Sequence, residues 1–143
     1  MMTEKANKTT LTITLGIISL VLLFGGEICH IISDHWPNVL HESDWYHLAV
    51  FVGWIFVLFA DYFRPVTTKQ DMDNAVWNFF LIIIAMGFLC ILQVFKIQHF
   101  TAPIVAVLII TSILAILGCI LNYRKWLGIK AQLEKQENEK NPE

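Results

Sequence analysis

Apolar residues run almost without interruption through four stretches of the chain, separated by short segments where charges, prolines and histidines gather. Each stretch approaches the ~20 residues that carry a helix across a hydrocarbon core of ~30 Å. They predict spans at about 10–33, 45–63, 75–96 and 102–123. The first is broken only by Glu27. The second is the shortest, bounded by Asp44 and Asp61, which places one of those carboxylates near an interface. Pro65 ends the second run, and Asp71, Asp73 and Asn74 offer caps to the third. Pro103 falls in the first turn of the fourth, where a missing N–H had no partner to lose, behind Thr101 as a cap. Lipid supplies no hydrogen-bond partners, so each run must satisfy its own backbone as a helix. The pattern predicts an all-α integral membrane protein, one domain over 1–143, with four transmembrane helices in an up-down-up-down bundle. Beyond Tyr123, the residues Trp126, Ile129 and Leu133 recur at helical spacing among Lys130, Glu134, Lys135 and Glu139. The fourth helix is therefore predicted to continue as a short helical extension, the tail 124–143 being cytoplasmic.

Composition agrees with the pattern and narrows the function. Hydrophobic residues make up 56% and charged residues 15%, and the mean hydropathy is +0.59. That excludes a soluble enzyme. Ten Lys+Arg against twelve Asp+Glu leave a net charge of -2, without the basic excess that nucleic acid demands. The distribution of positive charge then sets sidedness. Lys5 and Lys8 precede the first span, Arg64 and Lys69 separate the second and third, and Arg124, Lys125, Lys130, Lys135 and Lys140 follow the fourth, leaving Lys96 alone elsewhere. Positive residues are retained on the cytoplasmic side, so both termini and the Arg64 loop are predicted inside a bacterial inner (cell) membrane. Trp36, Trp45 and Tyr46 on one side and Tyr62, Trp77, Tyr123 and Trp126 on the other form aromatic belts at headgroup depth. The first run is too long for a signal-peptide core and lacks an Ala-x-Ala-like site, so it is expected to be retained.

Candidate chemistry lies on the outer side. All five histidines, His30, His35, His41, His47 and His99, fall there, together with Glu27, Asp34, Glu42 and Asp44. Glu27 to His30 is an i, i+3 pair and His30 to Asp34 an i, i+4 pair, so these three share a helix face; Asp44 to His47 repeats the carboxylate-x-x-His spacing on the next helix. Glu27 continues a stripe of Thr12, Gly16, Ser19 and Gly26, which points it into the bundle. A carboxylate there must be protonated, paired with His30 or His47, or reached by water. Imidazole and carboxylate suit a divalent transition metal, which makes Glu27, His30, Asp34, Asp44 and His47 the candidate ligands, although no cofactor is required by any other feature. Proton handling by Glu27 and His30 is the equal alternative.

Other features bear on packing. Cys29, Cys90 and Cys119 have no metal or redox spacing and are read as small core residues. Gln93 and Lys96 are read as interface anchors. Thr111, Ala115, Gly118, Cys119 and Asn122 give the fourth helix a small-residue face fit for another helix. An offset of 61 residues aligns Gly26 with Gly87 and Cys29 with Cys90, but identities elsewhere are too sparse to guide function. No phosphate loop, nucleophile elbow or HExxH occurs. The expectation is a small polytopic protein, non-catalytic, an accessory, regulatory or protective subunit that acts through helix–helix contacts with itself, as a homo-oligomer, or with a larger membrane partner. The competing expectation is a small transporter or a metal- or proton-binding membrane protein, with a membrane enzyme third.

Overall fold

The computed structural model describes residues 2–142, and these fold into four helices. They are α1 (Met2–His35), α2 (Trp45–Phe63), α3 (Lys69–Lys96) and α4 (Ala102–Lys140). Each is long and apolar enough to cross a membrane.

The helix ends show where local chemistry extends the apolar pattern. α1 is already helical at Met2, the first described residue and well before the first apolar run, and Glu4 and Lys8 pair along it at i, i+4 across 2.8 Å. The hydroxyls of Thr9, Thr10, Thr12 and Thr14 also donate to carbonyls one turn back, which satisfies them without leaving the helix. α2 keeps the predicted limits and stops before Pro65. The α3 cap differs from the expectation: Asp71, Asp73 and Asn74 lie inside the helix, and Thr68 is the N-cap. Thr68 Oγ1 accepts from the Asp71 N–H at 3.1 Å, while Thr67 Oγ1 donates to the Asp71 carboxylate at 3.0 Å. Thr101 caps α4 through its carbonyl, which accepts from the Val105 N–H at 3.0 Å. Its side chain makes no cap hydrogen bond. At ~1.5 Å per residue, the 39 residues of α4 exceed what a bilayer core needs.

Packing centres on α2, which lies against each of the other three helices and most extensively against α1. Two glycines make the α1–α2 approach possible. A Cβ at Gly26 would stand 2.5 Å from the Tyr46 carbonyl oxygen, and one at Gly53 would stand 2.9 Å from Leu23 Cγ. The α2–α4 contact uses the small-residue face of α4: Gly118 admits Leu58, and Asn122 Nδ2 donates to the Leu58 carbonyl at 3.2 Å and to the Gly118 carbonyl at 3.0 Å. Asn122 is fully buried.

Two apolar clusters close the ends of the molecule. Leu48, Ile97 and Ile104 meet at the end that carries the histidines, and Met72, Ala75 and Trp126 meet at the other. At that second end Lys125 donates to the Tyr62 carbonyl and, at 2.8 Å, to the Arg64 carbonyl, tying α4 to the end of α2. α3 is held chiefly near its termini: Met72, Ala75, Phe79 and Gln93 are buried, and no residue from 80 to 92 is.

Candidate functional site

The polar side chains at the histidine end converge from three helices onto Gln93. Its amide stands between Glu27 of α1 and His47 of α2, and it is almost wholly buried, as is His47. Gln93 Nε2 donates to Glu27 Oε1, and its Oε1 lies 2.7 Å from His47 Nδ1. With Glu27 ionised beside the Lys96 ammonium its oxygens accept, which turns the Gln93 NH₂ toward Glu27 and the amide oxygen toward His47. His47 Nδ1 therefore carries the hydrogen and donates to Gln93 Oε1. The other Glu27 oxygen faces Lys96 Nζ at 3.5 Å.

The chain of polar groups continues past His47. The His30 and His47 rings meet edge to face with centroids 4.6 Å apart, and His30 Nε2 lies 3.5 Å from Asp34 Oδ2. His30 Nδ1 is buried without a hydrogen-bond partner. A buried polar atom left without a partner costs about 1–3 kcal/mol.

Glu27, His30, Asp34 and His47 thus come together, in a string rather than around a common centre. The partner of Glu27 differs from the two expected. It pairs with Gln93 and Lys96, and His47 reaches it only through the Gln93 amide. Lys96 turns its ammonium to this carboxylate, so it is more than an interface anchor.

Asp44 has a separate task. Its oxygens accept from the Gln98 N–H at 2.9 Å and from the His99 N–H at 3.0 Å, and its Oδ2 lies 3.6 Å from His99 Nδ1. Gln98 Nε2 also donates to Glu42 Oε1 at 2.8 Å. These bonds fasten the loop between α3 and α4 to the start of α2. Of the remaining histidines, His35 Nδ1 lies 3.0 Å from the Ile31 carbonyl, and the His41 carbonyl accepts from the Tyr46 hydroxyl at 3.0 Å. Both residues are exposed.

Among the described residues no group of three or more His, Cys, Asp or Glu side chains is arranged to hold a metal ion. The candidate ligands Glu27 and His47 each have an atom engaged by Gln93, and Asp44 is engaged by the α3–α4 loop.

Sequence reasoning placed the carboxylates and histidines but missed Gln93 as their hub. A signal existed: Gln93 is the only glutamine inside an apolar run, at the same depth as Glu27. An uncharged amide carries both a donor and an acceptor, so it can join a carboxylate to an imidazole N–H.

Comparison of the chain with protein-family models, with curated proteins and with solved structures finds no match.

Proposed function

We propose that this protein is a non-catalytic membrane subunit, accessory, regulatory or protective, that works by packing a transmembrane face against a partner helix, either a second copy or a larger membrane protein. One observation carries the reading: from 80 to 92, the middle of α3, no side chain is buried within the chain. Phe80, Ile84, Phe88 and Ile91 expose more than half their area there. Gly87 has open space around it, and a Cβ would meet nothing within 4 Å. Bulky apolar side chains beside an uncrowded glycine suit helix packing in lipid, where dispersion and close approach drive association. The Glu27–Gln93–His47 network fixes the end of α3 against α1 and α2, holding that face in a defined position.

The helices follow an up-down-up-down course in a bacterial inner membrane, with both termini in the cytoplasm and α4 extending beyond the bilayer. The pairing of Glu27 with Gln93 at one end and of Lys125 with the end of α2 at the other supports the course. The basic residues at the second end support the orientation.

A second reading has its own observation. The unpartnered His30 Nδ1, beside His47 and Asp34, favours a site that takes up a proton or a divalent transition metal from the outer side. Mass and metal content of the protein extracted in a mild neutral detergent separate the two. A defined complex heavier than one chain, metal-free and broken by Ile84→Arg, is the expected result. A monomer that retains stoichiometric metal, lost on His30→Ala, would replace the first reading with the second.

A further inference from the structure

At the end opposite the histidines, a cleft of about 520 Å³ opens between the start of α1, the connection from α2 to α3, and α4. Its volume falls within the ~300–1,000 Å³ of small-ligand sites. Four cationic side chains line it: Lys5 and Lys8 of α1, Arg64 from the connection, and Lys125 of α4. Glu4 is the one acidic residue in the wall, and its carboxylate already pairs with Lys8 at 2.8 Å. Asp61 lies behind Arg64, 3.8 Å from its Nη1, and is buried. The cleft therefore holds more positive than negative charge, gathered from three separate parts of the chain.

Two of these cations are positioned before any ligand arrives. Lys125 Nζ donates to the Tyr62 and Arg64 carbonyls, and its ammonium sits 4.8 Å from the Trp126 ring centroid. An ammonium has three N–H donors, so one remains for a ligand. Arg64 lies within ion-pair distance of Asp61, whose buried oxygens take no hydrogen bond from it, so the guanidinium donors are not spent on that contact. The surrounding wall is amphipathic, with Pro65, Val66 and Ile129 beside the charges. Tyr62 also stands in the wall, an amphipathic ring of the kind enriched at headgroup depth. Phosphate oxygens beside a glycerol backbone match that combination of fork, ammonium and apolar wall.

We propose that this cleft is a binding site for a net-anionic phosphate headgroup, of the kind an acidic phospholipid carries and without the quaternary ammonium that offsets the phosphate of a zwitterionic one, held by Lys5, Lys8, Arg64 and Lys125. The site is independent of the partner contact at α3, and its ligand bridges α1, the α2–α3 connection and α4.

The test is a competition on the full chain in neutral detergent, read by native mass spectrometry, with phosphatidylglycerol and phosphatidylcholine offered together. The expected result is one retained phosphatidylglycerol per chain in preference to phosphatidylcholine. Lys8→Gln with Arg64→Gln removes two charges from the cleft, and the retained lipid should weaken by about thirtyfold. Lys130→Gln with Lys135→Gln removes the same charge from the exposed part of α4, outside the cleft, and should leave binding within about twofold. Displacement of the lipid by glycerol 3-phosphate or inorganic phosphate would identify the phosphate as the recognised group. Binding of those soluble ions without the lipid would support the same chemistry from a soluble source. Equal retention of the two lipids by the unaltered chain would overturn the proposal, whatever the variants do. Equal weakening by the two double substitutions would also overturn it, since it would reduce the effect to general attraction between basic residues and an acidic surface.

Discussion

Gln93→Leu removes the amide that joins three helices and leaves the surrounding shape nearly unchanged. His47 is 3% exposed, so its Nδ1–H loses its acceptor where water does not reach, at a cost of about 1–3 kcal/mol. The effect on Glu27 is smaller. Its side chain is 37% exposed and keeps Lys96 at 3.5 Å, so solvent and the ammonium replace much of what the amide gave. Polar contacts between helices in lipid average only about 0.6 kcal/mol, because the unfolded state in the membrane also finds partners. Leucine also adds apolar contact at a buried position. The net expectation is destabilisation of about 1–2 kcal/mol, a factor of about 5 to 30 in the folding equilibrium. Unfolding in mixed micelles with increasing dodecyl sulfate, followed by tryptophan fluorescence, measures it. Gln136→Leu on the exposed tail of α4 is the control and should stay within about 0.5 kcal/mol. A Gln93→Leu protein as stable as the original would refute the bridging role of the amide, and with it the claim that the network fixes α3.

Gly26→Ala should loosen the α1–α2 contact by about 1–3 kcal/mol, because its Cβ would fall 2.5 Å from a backbone oxygen that cannot rotate away; Gly16→Ala, with open space, should be neutral or slightly stabilising in the same unfolding assay. Gly118→Leu should separate α4 from Leu58, whereas Leu117→Ala on the exposed side should not, as disulfide crosslinking between α2 and α4 would show. Asp44→Ala should release the α3–α4 loop, and hydrogen exchange at the Gln98 and His99 amides should accelerate by about tenfold or more, since both N–H groups lose their acceptor. Unchanged exchange at those two amides would show that the loop is held without the Asp44 carboxylate.

The four helices were legible because lipid forces a simple rule on the backbone, and long apolar runs obey it. Boundaries set by local polar chemistry were less so. α1 runs helical from the first described residue through the Glu4–Lys8 pair, ahead of the apolar run, and the start of α3 depends on Thr68 with Asp71. The candidate site was half legible. Helical spacing put Glu27, His30 and Asp34 on one face because that relation is internal to a helix. Their partners on other helices depend on how each helix is rotated, which spacing does not encode. Glu27 thus met Gln93 and Lys96 on α3 rather than an imidazole directly, and Asp44 turned to the backbone of a loop rather than to His47. The basic cleft was hidden for the same reason, since Lys8, Arg64 and Lys125 come from distant parts of the chain.

Crosslinking in native membranes tests the proposed action through α3 most directly. A photoreactive residue is placed in turn at Ile84, at Phe88, and at Ile116 on the exposed side of α4 as a control. Protein adducts of one defined mass from Ile84 and Phe88, absent from Ile116 and abolished by Gly87→Phe, are the expected result. Lipid adducts alone from all three positions, in cells where deletion of the chain still has its effect, would contradict the proposed helix contact.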